Sequence, residues 1–339
     1  MTVRYPVDLA LEGFHLRHKR AHALLARDFL SWLRFEFLGT AAATGVLDAL
    51  VEPRSTAELA DELGVTDPAL LTALLRVGQS VGELALTDGR WRLRGLRARA
   101  MVDPAVDGLA ALPEEAVLYG TDVYRRLGDR LAGDPPGDYL REHGELVART
   151  SRLVEPLLAP LVAGVVRARR PARVLEVGCG SGVNLRHVAH ASAEVTGVGL
   201  DVDADAAALA ERNLAGWSLA DRFEIHVGDV RDLPDGLAGP WDLVLAFQNI
   251  YYFDGPDRRD VLTHLRHLAK GGAVVIATAV AGTGDAAAAH LDAVLRSTVG
   301  NTGLPTVDEL RNNLTAAGFD TIDERRLAPF QPMRAVVAS

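Results

Sequence analysis

The run Val174-Leu175-Glu176-Val177 passes directly into Gly178-Cys179-Gly180-Ser181-Gly182 and then into a helical stretch from Asn184 to His190. No other feature constrains the fold as strongly. An apolar run bounded by glycines reads as a buried strand, and the glycines allow a sharp turn and close approach of a ligand to the backbone. The helix that follows offers unpaired N–H groups at its start, which suit a carboxylate or a phosphate. From about Arg167 onward, further short apolar runs alternate with helical stretches: VTGVGL, FEIHV, WDLVLAF and AVVIATAV. Alternation of this kind predicts an α/β fold, a doubly wound and mostly parallel sheet covered on both faces.

The N-terminal half reads differently. Apolar residues recur at helical spacing from Val7 to about Leu50, including Leu24, Leu25, Phe29, Trp32 and Leu33, and part of this wide face suits a partner. Ser55 and Glu58 form a capping-box pattern, and Gly64 ends the short helix they start. A second helix, opened by a cap at Thr66, carries Leu70, Leu71, Leu74 and Leu75. Asp88-Gly89 then separates two alternating runs, the mark of a hairpin. Helix, turn, helix and hairpin together predict a winged-helix module. Its second helix has only Arg76 as a cation, which favours dimerisation or scaffolding over DNA contact. Arg90, Arg92, Arg94, Arg97 and Arg99 are the one basic run, and they read as a solvated face. The expected organisation is residues 1–102 as a helical, winged-helix dimerisation domain, 103–165 as a helical connector and lid, and 166–339 as the catalytic domain.

A net charge of −9 works against binding a polyanion. A single cysteine, Cys179, excludes an internal disulfide and fits a reducing compartment. No stretch approaches the ~18 unbroken apolar residues of a membrane span. The expectation is a cytoplasmic homodimer that binds neither nucleic acid nor membrane.

Glycine turns are shared by several nucleotide-binding folds, and nicotinamide and flavin folds use the spacing Gly-x-Gly-x-x-Gly. Here the next strand ends at Asp201, nineteen positions beyond Gly182 and placed to accept hydrogen bonds from both hydroxyls of a ribose. The third strand ends at Asp229-Val230, an acid and an apolar side chain fit for an adenine amino group and ring face. Three strand ends thus point at one adenosine.

Through VLEVGCGSG, GLDVD, HVGDV, WDLVLAF and LRHLAKGGAVVI, residues from about 170 to 338 resemble the class I S-adenosylmethionine-dependent methyltransferases. The first half is similar to the N-terminal dimerisation domain of the small-molecule O-methyltransferase type. The resemblance implies a seven-stranded Rossmann-like sheet and S-adenosyl-L-methionine as cofactor. Glu176, Gly178, Cys179, Gly180, Ser181 and Gly182 would surround its methionine part. Asp201 would meet the ribose, Asp229 and Val230 the adenine, and Phe247 or Gln248 the sulfonium, with Val202 also among the cofactor-binding residues.

In the O-methyltransferase type, a histidine after the fourth strand serves as base, and Tyr251 stands at that place in Asn249-Ile250-Tyr251-Tyr252-Phe253. A phenol acceptor near pKa 10 is about a thousandth ionised at pH 7, a deficit of ~4 kcal/mol, and a tyrosine is a poor remedy for it. Tyr251, Tyr252 and Asn249 are therefore expected to orient the acceptor and shape its pocket, with Tyr119, Tyr124, Tyr139, residues 285–296 and residues 298–305 as further lining. His22 and His290 are candidates for a replacement base. The pairs His187/His190 and His264/His267 read as helix-surface histidines, and no metal is expected. The predicted reaction is methyl transfer to a small molecule, a natural-product intermediate, at a carboxylate, amine, activated carbon or hydroxyl. Two alternatives are another reaction on the same cofactor and a ligand-sensing DNA-binding regulator.

Overall fold

The computed structural model describes residues 18–106, 108–234, 236–327 and 332–339. It divides into two compact units, Met1–Val117 and Leu118–Ser339. The first 17 residues of the expected N-terminal helical region lie outside the described residues.

In the first unit, α1 (Lys19–Ala43) buries Phe37, Leu38 and Ala41 near its C-terminus. Its earlier turns expose Leu24, Leu25, Phe29, Leu30 and Trp32. The capping box forms as expected before α2 (Thr56–Glu62): the Ser55 hydroxyl accepts from the Glu58 N–H, and the Glu58 carboxylate accepts from the Ser55 N–H at 2.6 Å. α3 (Pro68–Ser80) is capped by Asp67 and not by Thr66, because Pro68 takes the first helical position and leaves its neighbour to accept from the N–H groups of Ala69 and Leu70. Leu71 and Leu75 enter the core, while Leu70 points out. Strands β1 (Leu84–Thr87) and β2 (Arg90–Leu93) pair antiparallel about Asp88 and Gly89, both with positive φ. The five arginines of the basic run are exposed. Three of them make local contacts, Arg90 to Pro53 O and Glu58, Arg97 to the buried Glu83, and Arg99 to Gly95 O.

The second unit is built on seven strands: β3 (Arg173–Val177), β4 (Thr196–Asp201), β5 (Phe223–Val227), β6 (Leu243–Phe247), β7 (Ala273–Ala279), β8 (Ile322–Arg326) and β9 (Met333–Ala338). Their order across the sheet is β5-β4-β3-β6-β7-β9-β8. The first five run parallel, and β9 pairs antiparallel with both β7 and β8. Its longer helices are α4 (Gly144–Thr150), α5 (Glu155–Arg169), α6 (Val183–Ala191), α7 (Ala204–Gly216), α8 (Gly255–Leu268), α9 (Ala286–Arg296) and α10 (Val307–Ala316). Strand alternation divides the core in two. Val174, Leu245 and Val275 face Leu158, Leu185, Val188 and Leu295 of α5, α6 and α9. Leu175, Val244 and Ile276 face Val261, Leu265, Leu310 and Leu314 of α8 and α10. Each fully buried leucine is worth ~2 kcal/mol relative to exposure, so neither sheet face is stable bare. This is the doubly wound, mostly parallel arrangement expected from the strand pattern, with the seven strands that the family resemblance implied.

Candidate functional site

Strand order reverses between β3 and β6, and the crevice outside the C-terminal ends of such strands is where open α/β sheets take ligands. A cavity of about 570 Å³ opens there. Gly178, Gly180 and Gly182 all take positive φ to carry the chain from β3 into α6. Gly178 has a second reason for its type: a Cβ at that position would lie 2.5 Å from Asn249 Nδ2. That amide donates to Val177 O and so ties the ends of β3 and β6 together.

Beneath the turn, Glu176 is completely buried and accepts from Asn184 Nδ2 at 2.7 Å. Glu176 Oε2, Asn184 Oδ1 and Asn249 Oδ1 have no hydrogen-bond partner. Burial pushes the Glu176 carboxyl up to about 8, with the charge of Asp201 adding to the effect. Three unsatisfied buried oxygens at one turn are costly unless a donor reaches them. Cys179 lines the cavity with its thiol buried and, by that burial, raised far above its ordinary pKa.

Asp201, at the end of β4, accepts from Gly180 N at 2.8 Å and from Asp203 N at 3.0 Å. Burial raises its carboxyl above the usual range, and those two N–H groups oppose the rise. Val202 is exposed beside it and Val230 is buried. Asp229 is held by Arg231, whose main-chain N–H and guanidinium both reach it and lower its carboxyl pKa. Sequence reading missed this pairing.

At the end of β6, Gln248 adopts φ 55°, donates its N–H to Ala277 O at 2.7 Å and accepts from Ala279 N at 3.2 Å through its side-chain oxygen. Phe247, Gln248 and Asn249 line the cavity. The helical turn Ile250–Tyr252 separates the two tyrosines. Tyr252 lines the cavity, whereas Tyr251 is buried in the core cluster with Phe247 and Ala279, and the two rings meet edge to face at 4.8 Å. Arg258, itself buried, donates to Ile250 O at 3.1 Å and Phe253 O at 2.8 Å and so holds the turn.

The opposite wall comes from the segment expected to be a connector and lid, but from residues that sequence reading did not single out. Gly144, Val147, Ala148, Ser151, Glu155 and Leu158 follow a helical period through α4, the turn Ser151–Val154 and α5, and line the cavity. That period was readable, but nothing local shows what such a stripe faces. Val299, Gly300 and Asn301 complete the lining from the loop after α9. Tyr119 and Tyr139 are buried in a stack with each other, and Tyr124 stacks on His290; none of the three lines the cavity.

His187 is not a surface group. Its Nε2 lies 3.0 Å from Glu155 Oε1, beside Arg186 at 2.7 Å, because α6 packs on α5. The Glu155 carboxyl is held down to about 2, chiefly by His187 and then by Arg186 and Arg152. His264 is partly buried and its pKa is lowered by that burial; His22, His190 and His267 are exposed. Among the described residues no histidine lines the cavity.

These residues fit S-adenosylmethionine. An ammonium group matches the unpartnered oxygens of Glu176, Asn184 and Asn249, and the Asp201 carboxylate retains acceptor capacity for a ribose diol.

Residues 174–272 match the model of a methyltransferase domain family. Over 93 residues the chain is 32% identical to the magnesium-protoporphyrin O-methyltransferase of Rhodobacter capsulatus, a stretch covering 27% of this chain and 39% of that protein's length. The fold is similar to that of an O-methyltransferase family protein from Burkholderia thailandensis, with TM-score 0.74, 20% identity, and 96% and 98% of the two chains covered. It is also similar to human N-acetylserotonin methyltransferase in complex with S-adenosylmethionine, with TM-score 0.73, 15% identity, and 96% and 98% covered. Residues 174–272 thus form a methyltransferase domain, and the chain as a whole has the fold of the O-methyltransferase proteins.

Proposed function

We propose that the chain transfers the methyl group of S-adenosylmethionine to a small molecule seated between Tyr252, Phe253, Leu158 and Asn301, at a position that needs no histidine base. The observation that carries this is a single cavity lined at once by the glycine turn, Asp201, Asp229 and the aromatic segment Phe247 to Phe253. At about 570 Å³ it falls within the ~300–1,000 Å³ of small-molecule sites. The names of the bacterial and human relatives also denote transfer to small molecules.

The bound cofactor supplies an electrophilic methyl group on a sulfonium, whose positive charge disappears as the methyl leaves. In this reading Glu176, Asn184 and Asn249 take the ammonium, Asp201 the ribose, and Asp229 with Val230 the adenine. Phe247 and Gln248, which line the cavity, would lie beside the sulfur. Tyr252 donates a hydrogen bond to the acceptor, and Phe253 and Leu158 keep water from it. Alignment in a dry site supplies much of the rate. Among the described residues no histidine lines the cavity, Glu155 is too acidic to take a proton from a phenol, and a tyrosine with the reference pKa near 10 is itself protonated at pH 7. The favoured acceptors are therefore a carboxylate, an amine, an activated carbon or an already acidic hydroxyl of a natural-product intermediate. The exposed apolar side of α1 supports a homodimer, and the net charge of −9 supports a partner list without nucleic acid. A reducing, cytoplasmic setting agrees with the one buried thiol.

The test is calorimetric titration with S-adenosyl-L-homocysteine, followed by incubation with S-adenosylmethionine and panels of acids, amines and phenols read by mass spectrometry. Asp201→Ala is expected to weaken binding by ~100-fold, the cost of two lost charge-assisted hydrogen bonds. Undiminished binding by that variant would falsify the assignment of the cofactor site.

A further inference from the structure

Arg231 follows the adenine-side residues by one position, and its interactions are unusually complete. Its main-chain N–H meets Asp229 Oδ1 at 2.8 Å. Its guanidinium meets the same carboxylate through Nε at 3.0 Å and through Nη2 on Oδ2 at 2.6 Å. A further nitrogen, Nη1, reaches Asp257 Oδ2 on α8 at 3.3 Å. The guanidinium carbon stands 5.7 Å from the centre of the Phe253 ring. Arg231, Asp229 and Phe253 all line the cavity. A carboxylate gripped from its own backbone and by a two-pronged cation cannot turn, and the Arg231 charge also keeps it ionised. Its oxygens then act as acceptors only.

We propose that Arg231 is a positioning residue that sets base selectivity: by locking the Asp229 carboxylate as a fixed acceptor, it makes the site take a 6-amino purine and reject a 6-oxo purine. The proposal rests on the reading of the cavity as an S-adenosylmethionine site with Asp229 on the base. An amino group at position 6 donates to the fixed carboxylate. An oxo group there sets two acceptors against each other, and a carboxylate held ionised has no proton with which to relieve the clash. Asp257 anchors the far side of the guanidinium, so the lock is built between the turn after β5 and α8.

The experiment is calorimetric titration of the full chain with S-adenosyl-L-homocysteine and with its 6-oxo analogue, S-inosyl-L-homocysteine. The wild type is expected to prefer the adenosyl compound by ~100-fold or more, as sites built to hydrogen-bond a substrate group do. Arg231→Met, at a side chain that is 54% exposed and so tolerated by the fold, is expected to reduce that preference below about tenfold. Arg231→Lys keeps the charge without the two-pronged geometry and is expected to stay close to the methionine variant. An unchanged preference in Arg231→Met overturns the proposal, and full selectivity in Arg231→Lys overturns the orienting role. If the wild type binds no S-adenosyl-L-homocysteine, the cofactor reading falls and takes the proposal with it. If the wild type binds both compounds equally, only the selectivity proposal falls.

Discussion

Glu176 combines complete burial, one hydrogen bond and one oxygen left without a partner. Its carboxyl is raised from 4.5 to about 8, so the native state keeps a proton that the unfolded chain releases. The sign follows: the native state gives up stability as pH rises from about 5 to about 8, at roughly 1.4 kcal/mol per pH unit, and no further loss comes above that range. Glu176→Gln keeps the oxygen that accepts from Asn184 but cannot ionise. Its stability by urea denaturation is expected to gain on the wild type steadily across that window and then level off. A gap that does not change with pH would show that Glu176 titrates normally. The positions of the glycines and acids at this turn were legible because each sits at the end of an apolar run that forms a strand. The orientation of the two tyrosines was not, since it depends on the positive φ of Gln248 and the tight turn at Ile250, which send Tyr251 to the core and Tyr252 to the cavity.

Among the elements, the turn after β6 depends on a residue of α8. Arg258 is buried and spends its hydrogen bonds on two carbonyls of that turn, Ile250 O and Phe253 O. Arg258→Met would leave both without a donor, at a cost of ~2–4 kcal/mol by denaturant unfolding. Because the turn carries Tyr252 and Phe253, the variant is also expected to bind acceptor more weakly while keeping its affinity for S-adenosyl-L-homocysteine. Equal loss of both affinities would mean that Arg258 supports the sheet end as a whole. Nothing in the order of residues 250–258 marks Arg258 as inward-facing, and charge alone argues for the surface. The cavity wall of α4 and α5 has the same character: its spacing is periodic, but its partner is distant in sequence.

At the scale of the whole molecule, the first described turns of α1 carry an exposed apolar face. Leu25, Phe29 and Trp32 are 68%, 56% and 52% exposed. Apolar groups gathered along one helix in this way are a poor surface for a monomer. With the homodimer proposed above, Phe29→Asp with Trp32→Asp is expected to convert a dimer into a monomer by sedimentation velocity. A wild-type monomer at micromolar concentration would sink the proposal.

What the sequence determined by itself is local or periodic. The strand, glycine turn and helix at residues 174–190, the capping box at Ser55, the hairpin at Asp88-Gly89 and the two-faced sheet all rest on neighbours in the chain, whose geometry follows from backbone and side-chain type. The tertiary structure alone decided the contacts made through space: Arg231 on Asp229, His187 against Glu155, Arg258 under the turn, and the α4–α5 wall across the cavity. Asp229 and Arg231 lie only two positions apart, yet their pairing depends on how the chain turns after β5. In the other three cases the partners come from different elements, and which side chains meet is set by how helices pack on the two faces of the sheet.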